Sequence, residues 1–180
     1  MSLGSRRKAR ALALQVLYAQ DVSAVAGAGE GGDKLDQAVA TYGDRFELDV
    51  DPEAREFAQV LVRAASREPA AVDAAITAAS RNWRLERMAK VDRNILRLAV
   101  GELQNVPETP VKVVINEAVE LAKRFGTAES PAFVNGVLDR VAHGLGRQDA
   151  DRPDPDKPET DKPETDKRET DKPDSDGGGA

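Results

Sequence analysis

The stretch PVKVVINEAVELAKRFG, residues 110–126, decides the fold class of this chain because its apolar residues recur with the period of an α-helix. Spacings of three and four residues place them on one face, as in a helix that packs one side against a core. That inward face consists of Val111, Val114, Ile115, Ala118, Leu121, Ala122 and Phe125. Thr109 is predicted to cap this helix and Gly126 to end it.

Six other segments of the chain show the same helical pattern, and none shows the sustained alternation of a β-strand. KVDRNILRLAVGEL, residues 90–103, predicts a long central helix. Helix starts are marked by a capping residue or a proline at Asp51-Pro52, Pro69 and Ser130-Pro131. Seven helices joined by short links predict an all-α fold, a compact helical bundle.

The composition excludes several classes of function. The chain has no cysteine, which excludes disulfides, thiolate metal sites and cysteine nucleophiles. Its single histidine, His143, excludes a multi-histidine metal site and leaves little material for acid–base chemistry. We therefore predict no catalytic residues, no metal and no cofactor. No stretch approaches the roughly 20 apolar residues of a membrane span, and no convincing signal-peptide cleavage site follows the basic N-terminus, so a cytoplasmic protein is expected.

The net charge of −6 comes entirely from the C-terminal segment. Residues 149–180 contain twelve acidic and six basic side chains, which leaves 20 of each for residues 1–148. From Asp156 to Ser175 the segment repeats DKPET with small variations. It has no large apolar residue to bury and many prolines, so we expect a disordered acidic tail after a folded domain of residues 1–148.

RRKARALALQVLYAQD, residues 6–21, predicts an amphipathic first helix with four cations near its start. On a helical wheel, the row Arg10, Leu14 and Tyr18 lies away from the apolar stripe. Arginines can contact phosphates and a neighbouring tyrosine can stack on an unpaired base, as in single-stranded RNA binding. Alternatively, the arginines solvate a surface helix and Tyr18 packs against a neighbouring helix. Short basic runs are weak motifs, so this helix alone favours the second interpretation.

The last helix contains two residues that packing alone does not explain. Gly136 lies in mid-helix, where glycine costs about 1 kcal/mol relative to alanine, so a close approach of another helix is one explanation for it. Phe133 lies in the first turn, away from the buried row of Val134, Leu138 and Val141. A partly exposed Phe133 is either incidental or part of a binding surface.

Four blocks in this order and spacing resemble the transcription antitermination factor family NusB: RRKARALALQVLYAQD, VDRNILRLAVGEL, PVKVVINEAVELAKRFG and FVNGVLD. The resemblance covers roughly residues 6–145. It implies two small helical subdomains and no catalytic activity. It also implies that the protein binds the boxA sequence of ribosomal RNA leader transcripts together with NusE, a small-subunit ribosomal protein. This complex helps RNA polymerase to resist termination and supports ribosomal RNA transcription.

The resemblance also assigns candidate site residues. The candidates for RNA binding are Arg6, Arg7, Lys8, Arg10, Gln15, Tyr18, Phe133 and Asn135. Glu86 and Asp92, near the start of the central helix, match positions that contact NusE. Carboxylates there could pair with a basic ribosomal protein, or they could be ordinary helix-surface charges. The acidic tail and the glycine-rich link at residues 27–33 depart from the family pattern. Because of these departures, the resemblance does not assign an oligomeric state, and both a monomer and a homodimer stay open.

Two other classes of protein compete with this interpretation. Helical domains of this kind also occur fused to methyltransferases that modify ribosomal RNA, but this chain has no glycine-rich cofactor loop after a strand and no cysteine nucleophile. A helical protein–protein adaptor that binds no RNA is the other alternative, and the neutral charge of residues 1–148 favours it mildly. Salt dependence separates an RNA-binding protein from such an adaptor. Binding through phosphate contacts weakens steeply as salt increases, whereas binding of a partner in an apolar groove is far less sensitive to salt.

Overall fold

A computed structural model describes residues 3–22, 32–45, 50–80 and 83–147. This part of the chain is helical and contains no strand, which confirms the predicted all-α class. The helices are α1 Leu3–Val22, α2 Gly32–Arg45, α3 Pro52–Ser66, α4 Pro69–Ala79, α5 Lys90–Asn105, α6 Val111–Phe125 and α7 Ser130–Gly144. A short 3-10 turn, Leu85–Arg87, precedes α5. Most of the glycine-rich link and the predicted tail at 149–180 lie outside the described residues.

Helix α5 is the centre of the bundle because it packs against helices from both halves of the chain. It contacts α1 and α3 from the N-terminal half, and α4, α6 and α7 from the rest. Its side chains are accordingly buried almost all round, with Ile95, Leu96 and Val100 fully buried. The contacts of α5 therefore join the N-terminal helices to the C-terminal ones.

The predicted helix starts are confirmed in part. Asp51 caps α3 as expected, since its Oδ1 accepts a hydrogen bond of 2.8 Å from the backbone N–H of Ala54. The Ser5 hydroxyl donates to Asp51 Oδ2 at 2.5 Å, and these hydrogen bonds lower the pKa of the Asp51 carboxyl. The cap predicted at Thr109 is wrong, because α6 follows Pro110 and has no side-chain cap.

Ser130 also differs from its predicted role as the cap of α7. It is the first residue of that helix, and its hydroxyl accepts a hydrogen bond of 2.9 Å from the N–H of Thr127 in the preceding turn. The serine therefore closes the turn after Gly126 instead of satisfying the helix terminus.

The glycine that permits a close helix crossing is Gly101, not Gly136. A Cβ on Gly101 would lie 2.6 Å from Ala65 Cα and 2.7 Å from Ala65 N, so α3 and α5 meet there backbone to backbone. A Cβ on Gly136 would meet nothing within 4 Å. The close approach suggested for Gly136 is therefore wrong, and its surroundings are open space.

Candidate nucleic-acid interface

Helix α1 places its apolar stripe in the core as predicted, with Ala9, Leu12 and Val16 fully buried. The predicted outward row, however, is wrong in two of its three members. Leu14 is 4% exposed and Arg10 is 3% exposed, whereas Tyr18 is 38% exposed. The reason is that α1 packs against α2, α3 and α5, so neighbours cover more of its circumference than one stripe.

Arg10 forms a buried ion pair with Glu102 of α5 instead of facing solvent. Its Nε donates to Glu102 Oε2 at 3.0 Å and its Nη2 donates to Glu102 Oε1 at 2.6 Å. The Glu102 side chain is only 1% exposed. Two parallel charge-assisted bonds of this kind fix both position and orientation. Arg10 therefore joins α1 to α5, and the surface position expected for a phosphate contact is not the one it occupies.

Arg6, Arg7 and Lys8 are exposed at the start of α1. The guanidinium carbon of Arg6 lies 5.4 Å from the centroid of the Phe57 ring on α3, a cation–π distance. Lys8 lies close enough to Asp51 for its charge to contribute to the lowered pKa of that carboxyl. These three residues form a cationic surface, which we call the α1 cationic patch.

Arg7 is held by a carboxylate of α6. Its Nη2 donates to Glu117 Oε1 at 2.7 Å and its Nε donates to Glu117 Oε2 at 3.1 Å. The Arg7 side chain is 61% exposed and that of Glu117 only 12%. The hydrogen bonds and charge of Glu117 raise the pKa of Arg7. Glu117 thus holds the exposed Arg7 side chain through both oxygens of its carboxylate.

The C-terminal end of α1 is fixed by an ion-pair network that the sequence analysis missed. Asp21 Oδ2 accepts hydrogen bonds from Arg93 Nη2 at 2.6 Å and from Asn94 Nδ2 at 3.1 Å. Arg97 reaches Asp21 at 3.3 Å and pairs with Asp73 of α4 at 2.7 and 2.8 Å. Burial raises the pKa of Asp21, but these donors and charges together lower it below its ordinary value. The network fixes α1 relative to α4 and α5.

Gln15 and Tyr18 lie between these two fixed ends of α1. Gln15 is half-buried, and its Oε1 is buried without a hydrogen-bond partner in the part of the chain that the structure describes. Tyr18 is exposed enough to contact a partner. A buried acceptor without a donor reduces the stability of the fold. The packing of Gln15 alone therefore does not explain this position.

On α7, Phe133 is half-buried and packs edge-on against Trp83, with ring centroids 6.0 Å apart and an interplanar angle of 62°. Trp83 is 57% exposed and is not among the site residues predicted from the sequence. Asn135 is exposed and donates to Asp139 Oδ2 at 3.0 Å. The exposed aromatic surface near α7 therefore comes from Trp83 as much as from Phe133.

The two candidate partner-binding carboxylates have different environments. Glu86 is exposed and belongs to the separate 3-10 turn that precedes the central helix. Asp92 does lie in the first turn of α5, yet it is 8% exposed and its Oδ1 has no hydrogen-bond partner among the described residues. Arg93 Nη1 donates to the Leu85 carbonyl at 3.3 Å and links this turn to the Asp21 network.

The described residues contain no cluster of three or more histidine, aspartate or glutamate side chains able to hold a metal ion. Within the same ranges, the helices are too short or too polar to cross a membrane. The candidate residues instead form two groups. The first is the α1 cationic patch beside Phe57 and Glu117, and the second is the surface of Trp83, Phe133 and the adjoining turn.

Comparison with known proteins identifies the family. The NusB family model matches residues 7–143. The transcription antitermination protein NusB of Sorangium cellulosum is 51% identical over 150 residues, which is 83% of this chain and 100% of that protein. The NusB protein of Anaeromyxobacter dehalogenans strain 2CP-1 is 54% identical over 140 residues, 78% of this chain and 92% of its own.

Solved structures agree with this result. NusB of T. maritima superimposes with a TM-score of 0.66 at 34% identity, covering 77% of this chain and 90% of that one. A crystal structure of the antitermination factors NusB and NusE in complex with dsRNA gives a TM-score of 0.66 at 27% identity, covering 79% and 99%. Since the family model spans most of the chain and the relatives match it along nearly their whole length, this chain belongs to the NusB family.

Proposed function

We propose that this chain is a transcription antitermination factor that binds boxA RNA of ribosomal RNA leader transcripts together with NusE. Membership of the NusB family supports this function, and so does the likeness to a structure in which NusB and NusE are bound to RNA. The observation that carries it is the α1 cationic patch. Three neighbouring exposed cations lie on a helix that is fixed at both ends, although residues 1–148 have no net charge.

The candidate RNA-binding residues have different proposed roles, which follow from their side-chain chemistry and surroundings. Arg6, Arg7 and Lys8 would contact phosphates, and Tyr18 would stack on a base or contact the partner. Gln15, which is half-buried, would contact the same ligand through the exposed part of its side chain. Phe133 and Asn135 would extend the RNA surface on α7, with the ring of Phe133 as its aromatic part.

The NusE contact is proposed at the 3-10 turn Leu85–Arg87 and the first turn of α5. Glu86 is exposed and can pair with a cation of a basic ribosomal protein. Asp92 is mostly buried, so its unpaired Oδ1 would need a long donor that reaches into the protein. The complex of this chain with NusE would then act in the RNA polymerase antitermination complex. We propose that the chain acts in the cytoplasm.

The test is binding of the full chain to boxA RNA and to a scrambled RNA of equal length, with and without NusE, at two salt concentrations. We expect boxA to bind more tightly, NusE to increase the preference, and salt to weaken binding. Absence of any preference for boxA under all four conditions would instead favour a protein–protein adaptor without direct RNA binding.

A charge-matched pair of variants locates the RNA surface. Replacing Arg6, Arg7 and Lys8 together by glutamine is expected to reduce the slope of log affinity against log salt by about 2, at about 0.7 per lost contact with single-stranded RNA. The control replaces three exposed arginines at other helix ends, Arg63, Arg67 and Arg124, by glutamine. If both triple variants change the slope equally, general charge and not the α1 cationic patch governs binding.

Glu117→Gln is expected to strengthen RNA binding about two- to fivefold at low salt, because an exposed ion pair is worth about 0.2–1 kcal/mol and a phosphate must displace it from Arg7. The matched control is Glu120→Gln, since Glu120 bonds to Lys123 at 2.7 Å and affects Arg7 only through its charge. Equal gains from both variants would show that net charge, and not release of Arg7, causes the effect.

A further inference from the structure

Phe57 of α3 lies against two arginines of α1 at once. The guanidinium carbons of Arg6 and Arg10 are each 5.4 Å from the centroid of its ring. Phe57 itself is half-buried and packs against the apolar core, so the ring is held by the fold. Neither the sequence pattern nor the family resemblance assigned a role to this residue.

The two arginines on this ring differ in what their donors do. Arg10 directs its Nε and Nη2 to Glu102 inside the protein. Arg6 is exposed, and among the described residues no carboxylate is paired with it. A cation–π contact uses the charge of the guanidinium, and the ring does not replace an oxygen acceptor for its N–H donors. The Phe57 contact therefore fixes Arg6 without using its donors.

Arg7 shows the opposite arrangement. Its donor edge is occupied by Glu117, so a phosphate has to compete for it. Of the two exposed arginines, Arg6 is thus held in place with its donors available, and Arg7 is held in place with its donors engaged. Restraining a long side chain before binding reduces the entropy lost when the ligand arrives.

We propose that Phe57 is a positioning residue which presents Arg6 as the preorganised phosphodiester contact of the α1 cationic patch. This inference rests on the proposed RNA binding. It adds which cation of the patch is preorganised for a phosphate and which residue positions that cation. Phe57 acts through Arg6 and does not touch the RNA. Its contribution should therefore disappear when Arg6 is absent.

The experiment is a double-mutant cycle on the full chain with single-stranded boxA RNA at low salt, with scrambled RNA alongside. Phe57→Leu is expected to weaken boxA binding about three- to tenfold, the range for a side chain that is no longer preorganised. Arg6→Gln is expected to weaken it further and to reduce the salt slope by about 0.7. In the Arg6→Gln background, Phe57→Leu should have almost no additional effect. Phe57→Tyr keeps the ring and should retain wild-type affinity.

A second measurement does not depend on how well Phe57→Leu folds. In the wild-type protein, the Arg6 Nε–H resonance should be displaced by the ring current of Phe57 and should shift when boxA RNA is added. An undisplaced resonance in the free protein overturns the positioning role.

The outcomes distinguish this inference from the proposed function. If the wild-type chain prefers boxA but Phe57→Leu weakens binding equally with and without Arg6, the positioning role is wrong and the RNA function stands. The same holds if neither single variant weakens binding. If the wild-type chain shows no preference for boxA even with NusE, both proposals are wrong.

Discussion

Glu102→Ala is expected to destabilise the fold by about 3–5 kcal/mol, the usual cost of removing one partner of a buried ion pair. The variant leaves the guanidinium of Arg10 at 3% exposure with no counter-charge and two unsatisfied donors. Because Arg10 also lies against Phe57, the loss should loosen the packing of α1 on both α3 and α5. Urea unfolding followed by circular dichroism measures the change in the free energy of unfolding.

Two further variants show whether the burial of the charge causes this loss. Glu117→Ala removes a carboxylate from an exposed arginine pair and should cost no more than about 1 kcal/mol. The double variant Arg10→Met, Glu102→Leu removes both charges and should recover most of the stability lost in Glu102→Ala. If Glu102→Ala costs less than Glu117→Ala, the pair between α1 and α5 does not stabilise the fold.

The sequence predicts the helices well because each one depends on local spacing. The inward rows of α6 and α7 are buried as the period of 3.6 residues requires, from Val114 to Val141. Phe125 is the exception: it was predicted to face inward, but it is the last residue of α6 and is 37% exposed. Asp51 caps α3 because a cap needs only the next few residues. These features are encoded within one helix length and require no knowledge of the neighbours.

The sequence fails where a residue's environment is set by another helix. Arg10 looks like a surface cation on the wheel of α1, but its partner Glu102 lies 92 positions away. Nothing in the local pattern of either residue indicates the other, because α5 carries several other charged residues and Glu102 does not stand out among them. Phe57 and Trp83 became candidates only when the packing showed which side chains they contact.

Glycine gives the clearest example of this limit. The sequence shows Gly101 and Gly136 as two mid-helix glycines with the same local cost, and only Gly136 seemed to require an explanation. The packing reverses the assignment, because Ala65 lies against Gly101 and open space surrounds Gly136. The two positions therefore predict opposite effects for the same chemical change.

Gly101→Ala is expected to destabilise the fold by about 2–3 kcal/mol, the upper part of the range for overpacking a tight core. The added methyl group would lie 2.6 Å from Ala65 Cα, and backbone atoms cannot rotate away as a flexible side chain can. The two helices α3 and α5 would have to separate, which also disturbs the Arg10–Glu102 pair that their neighbour α1 makes with α5. Thermal and urea unfolding measure the loss.

Gly136→Ala is the matched control, since it adds the same methyl group to a helix interior. With nothing within 4 Å of the new Cβ, only helix propensity should change, and that stabilises by about 1 kcal/mol. The two variants should thus shift the melting temperature in opposite directions. Equal stabilisation by both would mean that α3 and α5 do not cross closely at Gly101. Destabilisation by both would mean that Gly136 has a packing role in α7 after all, since propensity favours alanine at either site.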